Sequence, residues 1–326
     1  MKKKQKKDAK EKAHKGRLNM SMIEEKISPM LASSSDPFDS PEWIYEIKWD
    51  GSRTIAFLSN KTRLQDRRLV DITHQFPDLA LLYKQIKAKE AILDGELVVL
   101  KNGKPSYKSI MSRKHQQNLV KINLLSKIMP VIFITWDILY LNGKSLVELP
   151  LIERKDILRK TVKENEIIKI SDFIFEHGKM LFEETGKKGL EGIVAKKADS
   201  KYLIGKRSKL WLKSKHFIVI NAVIIGYRTD KTALILGLYD EENNLINIGS
   251  CESGLSQKEL KAFYEVAKEI KAPDNYYNFK EKNVQWLKPL LTCKVRFMEW
   301  SENMKMRAPS FIQFEYNVKP EECRFE

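Results

Sequence analysis

Lys48 closes an apolar run, Trp43-Ile44-Tyr45-Glu46-Ile47, and stands just before Asp50-Gly51, with Arg53 following. An amine attacks phosphorus only in its neutral form, which apolar surroundings and neighbouring cations favour. Trp49, the apolar run and Arg53 are surroundings of that kind. Three clusters downstream carry complementary groups: Asp94-Gly95-Glu96, Glu191-Gly192, and Lys213 with Lys215. An acid inside a strongly apolar stretch such as Ile92 to Val98 is costly unless it meets a cation, a metal or a ligand. Lys213 and Lys215, spaced by two after Trp211, share one face of a strand and can aim two ammonium groups at one phosphate. Each signal has a bland alternative: a surface lysine before a hairpin turn, a structural ion pair, a solvated strand face. Their joint presence favours chemistry on a phosphate.

The elements that must position these residues are short strands rich in Ile, Val and aromatics. They are expected at Trp43 to Ile47, Thr54 to Leu58, Ala91 to Leu100, Val131 to Leu139, Gly192 to Lys196 and Leu210 to Lys213. Helices are expected at Pro77 to Lys87, Pro150 to Val162 and Lys179 to Lys187. Such uneven alternation points to an α+β domain over residues 18–215. A second domain, 216–326, reads as a small β-barrel. Its strands are expected at Ile218 to Tyr227, Ala233 to Tyr239, Asn243 to Ser250 and Leu291 to Trp300, with one helix from Gln257 to Lys271. That count suits an OB-fold.

With 326 residues, 42% of them hydrophobic, the chain can bury two cores. The net charge of +16 and pI near 9.5 predict a polyanionic partner, nucleic acid first and an anionic membrane surface second. Residues 1–17 are lysine-rich without spaced apolar residues, as expected of a mobile basic tail. No apolar run is long enough for a membrane span, and no apolar segment of a secretory signal follows the lysines. Cys251, Cys293 and Cys323 are too few for a four-cysteine zinc site and odd in number, which fits a reducing cytoplasm.

The stretch Lys48-Trp49-Asp50-Gly51-Ser52-Arg53 resembles motif I, Lys-x-Asp-Gly-x-Arg, of the covalent nucleotidyltransferases, and most closely of ATP-dependent DNA ligases. The resemblance continues through Gln65-Asp66-Arg67 (motif Ia), Leu93-Asp94-Gly95-Glu96 (motif III), Thr135-Trp136-Asp137 (motif IIIa), Glu191-Gly192-Ile193-Val194-Ala195-Lys196 (motif IV) and Leu210-Trp211-Leu212-Lys213-Ser214-Lys215 (motif V). It is nearest to the ligase module of bacterial LigD-type end-joining ligases. The fold it implies is a nucleotidyltransferase domain, ATP-grasp-like, followed by an OB-fold.

The roles it implies are these. Lys48 takes AMP from ATP; Glu46 meets the adenine amino group; Arg53 and Glu96 meet ribose or phosphate. Trp136 stacks on the adenine, and Lys213, Lys215 and Arg207 hold the α-phosphate. Glu191 and Glu96 carry Mg²⁺ (or Mn²⁺), and Arg67 grips a DNA phosphate. In the second domain Met306-Arg307-Ala308-Pro309-Ser310-Phe311 resembles the opening of motif VI, but Glu315-Tyr316-Asn317 stands where Arg-x-Asp is usual. Arg307 and Lys319 are the cations left to meet pyrophosphate.

An NAD⁺-dependent ligase would need a further N-terminal domain and a four-cysteine module, so ATP is the expected cofactor. No polymerase or nuclease module fits beside these motifs, so a minimal stand-alone ligase is expected. The partners implied are nicked or broken double-stranded DNA and a Ku-type end-binding protein. The setting implied is a bacterial, nucleoid-associated monomer in the cytoplasm. The rival readings are an RNA ligase or capping-type nucleotidyltransferase, and a non-catalytic DNA-binding protein on the same scaffold. Deleting residues 1–17 is expected to flatten the dependence of DNA binding on salt; an unchanged slope in a titration would leave the segment a solubilising tail only.

Overall fold

The computed structural model describes residues 22–274 and 276–325, so the expected basic tail lies outside the described residues. The chain divides between Lys215 and His216 into two compact units. The first is built on two sheets. One has strands β1 (Leu31–Ser34), β2 (Ser40–Ile47), β8 (Phe173–Glu176), β9 (Gly192–Lys197) and β10 (Arg207–Lys215), in the order β1-β10-β9-β2-β8. The other has β3 (Ser52–Leu58), β4 (Thr62–Asp66), β5 (Ala91–Val98), β6 (Ile132–Leu141) and β7 (Ile168–Ile170), in the order β7-β6-β5-β3-β4.

Alternation along the strands sorts the core into layers. On β3, Ile55 and Phe57 point to one face and join Ile92, Trp136, Tyr140 and, from the other sheet, Trp211. Ala56 and Leu58 point to the opposite face and pack with Leu93, Phe133, Ile110 and Leu158. The period of two thus gives β3 one face toward the partner sheet and one toward helices α1 (Tyr107–Lys114) and α3 (Leu151–Thr161). Between these helices lies α2 (Leu119–Ile128). Helix α4 (Gly178–Lys187) covers the far side of the first sheet, where Leu181 and Phe182 meet Tyr45, Ile193 and Ala195.

The expected helix from Pro77 to Lys87 is instead two 3₁₀ turns, Pro77–Leu79 and Leu82–Gln85. Leu79 and Leu82 are both buried at a spacing of three, which matches the tighter turn. The chain is then drawn off the helical path: Ile86 bridges Val162 and the Lys87 N–H donates to Thr161 O. Helices α1 and α2 were not foreseen. Each starts at a side-chain cap, Ser106 and Asn118, and each buries few apolar residues, so neither shows a long apolar period.

The second unit is one five-stranded sheet of β11 (Ile218–Arg228), β12 (Leu234–Tyr239), β13 (Leu245–Cys251), β14 (Val284–Phe297) and β15 (Ser310–Glu315). Its order is β13-β12-β11-β14-β15, and helix α5 (Gln257–Ala267) carries a complete capping box at Ser256 and Glu259. Strand β14 begins well ahead of the expected Leu291. Between the pairs Ile224–Leu291 and Gly226–Trp286 the register jumps, so Pro289 sits in a bulge where its missing N–H costs no ladder bond. Ala222, Ile224, Leu236, Ile248, Val295 and Phe297 form the core.

One buried ion pair ties α3 to the sheet. Arg154 donates to both oxygens of Asp137, at 2.8 and 2.9 Å, and to the carbonyls of Leu149 and Ser200. Both side chains are fully buried. Arg154→Met strands the Asp137 carboxylate, and the expected loss of stability is about 3–5 kcal/mol in urea unfolding.

Candidate active site

Strand register brings the first group together. Lys48 follows the last residue of β2, and its N–H donates to Gly192 O at 2.9 Å. This continues the β2–β9 ladder, in which Ile47 faces Ile193, and it places Glu191 beside the lysine. Lys48 Nζ donates to Glu191 Oε2 at 2.5 Å. The β9–β10 ladder sets Gly192 opposite Lys215, and Lys215 Nζ lies 2.7 Å from Glu191 Oε1. Residue 192 must be glycine for this. Its φ is +140°, and a Cβ there would lie 2.1 Å from Ser214 O.

A second ladder supplies the next group. In β3–β5, Arg53 stands directly opposite Glu96. The Arg53 guanidinium forks onto buried Asp94, with Nε–Oδ1 and Nη2–Oδ2 both 2.6 Å. Tyr202 locks this pair. Its hydroxyl donates to Asp94 Oδ2 at 2.7 Å and accepts from the Met30 N–H at 3.0 Å. Arg53 also lies 4.6 Å over the ring of Trp136. Gly51 lets the turn before β3 press against β5, since a Cβ would lie 2.3 Å from Leu97 O.

Lys48, Arg53, Arg67, Glu96, Trp136, Arg207 and Lys213 line one pocket, together with Glu46, Lys196 and Trp211. The charge in it is unbalanced. Burial lowers the Lys213 pKa, and Lys215, Lys48 and Arg207 lower it further. The Lys213 side chain has no hydrogen-bond or ion-pair partner among the described residues. Burial also pushes the Glu96 carboxyl up to about 8, with Lys48 and Arg53 pulling the other way and Glu191 and Asp94 adding to the rise. Such a site favours an entering polyanion.

The sequence-expected residues therefore meet at one place, with Glu191 and Lys215 joined to it through Lys48. Glu46, expected to meet the adenine amino group, lines the pocket and is also tied to two lysines. It is buried, and its carboxylate takes Lys196 Nζ at 3.0 Å on both oxygens and Lys155 Nζ at 2.5 Å. Burial depresses the Lys196 pKa to about 8, against the pull of Glu46. Lys155 and Tyr202 escaped the sequence reading, as did the holding role of Asp94. Asp94 stood inside a quoted motif, but Lys155 and Tyr202 carry no local signal. In the second unit, Arg307 is paired with Glu299 at 2.6 Å, Glu315 lies 3.6 Å from Lys294, and Tyr316 is exposed.

For a metal, the oxygen donors here are Glu96 and Glu191. Among the described residues no group of three or more His, Cys, Asp or Glu could hold an ion. Two carboxylates completed by nucleotide phosphate and water are the donor set that suits Mg²⁺.

Residues 29–215, more than half of the chain, match the family model described as ATP dependent DNA ligase domain, and residues 227–316 match ATP dependent DNA ligase C terminal region. The multifunctional non-homologous end joining protein LigD of Mycobacterium bovis is 27% identical over 312 residues, covering 91% of this chain and 39% of the relative. A probable DNA ligase of Dictyoglomus turgidum is 31% identical over 268 residues, covering 75% of this chain and 46% of the relative. The chain thus spans less than half the length of these relatives. Among solved structures, mycobacterial DNA ligase D complexed with ATP and MES superposes with a TM-score of 0.53 at 26% identity, covering 92% of this chain and 98% of that one. A Lig E DNA ligase at 17% identity and TM-score 0.59 shares the fold, covering 87% of this chain and 98% of that one.

The Glu96 environment has a consequence for stability. A carboxyl raised to about 8 in the folded chain, from 4.5, binds more protons folded than unfolded between those values. Stability from this group is therefore full below about pH 4.5 and is lost as pH rises through about 8. In metal-free buffer, the melting temperature of the wild type is expected to fall between pH 5 and 8 more steeply than that of Glu96→Gln. Parallel curves would refute it. The Lys196 effect lies above pH 8 and does not overlap this window.

Proposed function

The chain belongs to the family of ATP-dependent DNA ligases, and on that premise we propose that it seals breaks in double-stranded DNA through an adenylated Lys48. The observation that carries this reading is the Lys48–Glu191–Lys215 chain opening into a pocket with Arg53, Arg207 and Lys213. Lys48 Nζ forms a bond to the α-phosphorus of ATP, and pyrophosphate leaves. The AMP then passes to a 5′-phosphate at the break. The 3′-hydroxyl attacks that phosphate, AMP leaves, and the strand is closed.

The residues divide this work by position. Glu191 holds Lys48 in line before nucleotide arrives, at 2.5 Å. Lys213, whose side chain has no ion-pair partner among the described residues, and Lys215 meet the α-phosphate, with Arg207 on the same strand. Trp136 offers its ring to the base, and Arg53, stacked on that ring, meets the adjoining sugar and phosphate. Glu46, tied to Lys155 and Lys196, forms a rigid floor. Arg67, exposed at the pocket's edge, meets a phosphate of the DNA. A Mg²⁺ ion held by Glu191 and Glu96 with the nucleotide phosphate would polarise the α-phosphate and offset its developing charge. Likeness to LigD supports a role in end joining, with a Ku-type end-binding protein as partner and a location with the DNA.

Incubation with Mg²⁺ and α-labelled ATP, GTP or NAD⁺ tests the reading. Covalent label is expected from ATP, and none after Lys48→Ala. Label from GTP would favour the capping-type reading. No label from any nucleotide, with failure to seal pre-adenylated nicks, would overturn it.

A further inference from the structure

Helix α2 presents its apolar stripe to solvent. Ile122 is 2% exposed, whereas Leu119, Val120, Leu124 and Ile128 stand 67, 78, 55 and 62% exposed. Val120, Leu124 and Ile128 recur every fourth residue and so form one continuous stripe. A surface helix ordinarily turns that stripe inward. Here α2 is fixed by other means, through the Asn118 cap and packing on the turn at Pro77–Leu79. A lone exposed aliphatic needs no explanation, but a contiguous stripe marks a surface that something covers.

The charge around the stripe selects the occupant. From Leu97 to Trp136 the sequence holds seven Lys and Arg and no Asp or Glu; Arg113 and Lys114 are neutralised by Asp78 and Asp66, and the others carry the positive charge. Lys121 and Lys127, both exposed, flank the stripe on α2 itself. A second copy would bring the same cations, and residues 1–17 are also basic. DNA matches the charge, but its phosphates offer no apolar surface to cover four aliphatic side chains. An acidic chain with an apolar face matches both features, and three aliphatic side chains recurring every fourth residue over about two turns fit the ridge-and-groove contact of a second helix better than the broad face an anionic membrane would require. We propose that α2 is a docking surface for an acidic amphipathic helix of a partner protein. The partner's apolar residues cover Val120, Leu124 and Ile128, and its carboxylates pair with Lys121 and Lys127.

The test uses the full chain and two labelled amphipathic helical peptides with the same leucine face, one flanked by Glu and one by Lys. The Glu peptide is expected to bind at least about tenfold tighter, and the preference should weaken with salt. Val120→Ser with Leu124→Ser should weaken it by about tenfold or more, with melting temperature and adenylation unchanged. Lys121→Glu with Lys127→Glu should reverse the preference, and it serves should the serine variant fold poorly. Equal binding of both peptides, or binding of neither, overturns the proposal. So does a serine variant whose measured defect is in binding nicked duplex, in binding phosphatidylglycerol vesicles or in self-association.

Discussion

Glu191 accepts ion pairs from Lys48 and Lys215 at once, and most of the first unit can be understood as what holds that carboxylate in place. Six basic side chains line the pocket, against the acidic side chains of Glu46 and Glu96, the latter raised to about 8 by burial. Like charges brought this close repel unless something fixed opposes them. Glu191 opposes them at the mouth and Asp94 beside it, while Glu46 does so at the floor. Each acid is shared or forked between cations, and each sits on or next to a strand whose register is set by its neighbours. The excess positive charge that remains is the binding energy available to a polyphosphate.

The two sheets contribute unequally. The β2–β9–β10 ladders bring Lys48, Glu191, Lys213 and Lys215 within reach of one another by backbone pairing alone. A slip of one residue in either ladder would turn these side chains to the wrong face. The β3–β5 ladder adds Arg53 and Glu96 from the second sheet. The buried layer between the sheets, with Ile55, Phe57, Trp136 and Trp211, therefore sets how the two halves of the pocket meet. Trp136 and Trp211 serve both purposes, since each packs in that layer and also lines the pocket.

Much of this was legible in the sequence because it is local. Short motifs carry a charged residue together with the glycine or strand that aims it, as in Asp50-Gly51, Asp94-Gly95-Glu96 and Glu191-Gly192. The strands themselves follow from runs of β-branched and aromatic residues. What escaped is non-local. Lys155 lies beside Arg154 on α3 and reads as part of a solvated helix face, because lysine is almost never fully buried unless paired. Its partner Glu46 is remote in sequence and is met only through the fold. Tyr202 stands in a loop, and only the approach of Met30 and Asp94 gives its hydroxyl two partners. The 3₁₀ turns at Pro77–Leu79 and Leu82–Gln85 look like one helix in the sequence because a few buried leucines fit both periods.

The same distinction separates the pocket from α2. In the pocket, charged residues are found where apolar packing would be expected, and each is explained by a partner or by an anion it can receive. On α2 the exception is reversed: aliphatic residues occupy positions that solvent would ordinarily claim, and no contact among the described residues buries them. Two departures from ordinary burial, of opposite sign, thus mark two surfaces of one unit. The first is anchored by ladder register and leaves little freedom in its geometry. The second rests on one capped helix, so its sequence can change at little cost to the core.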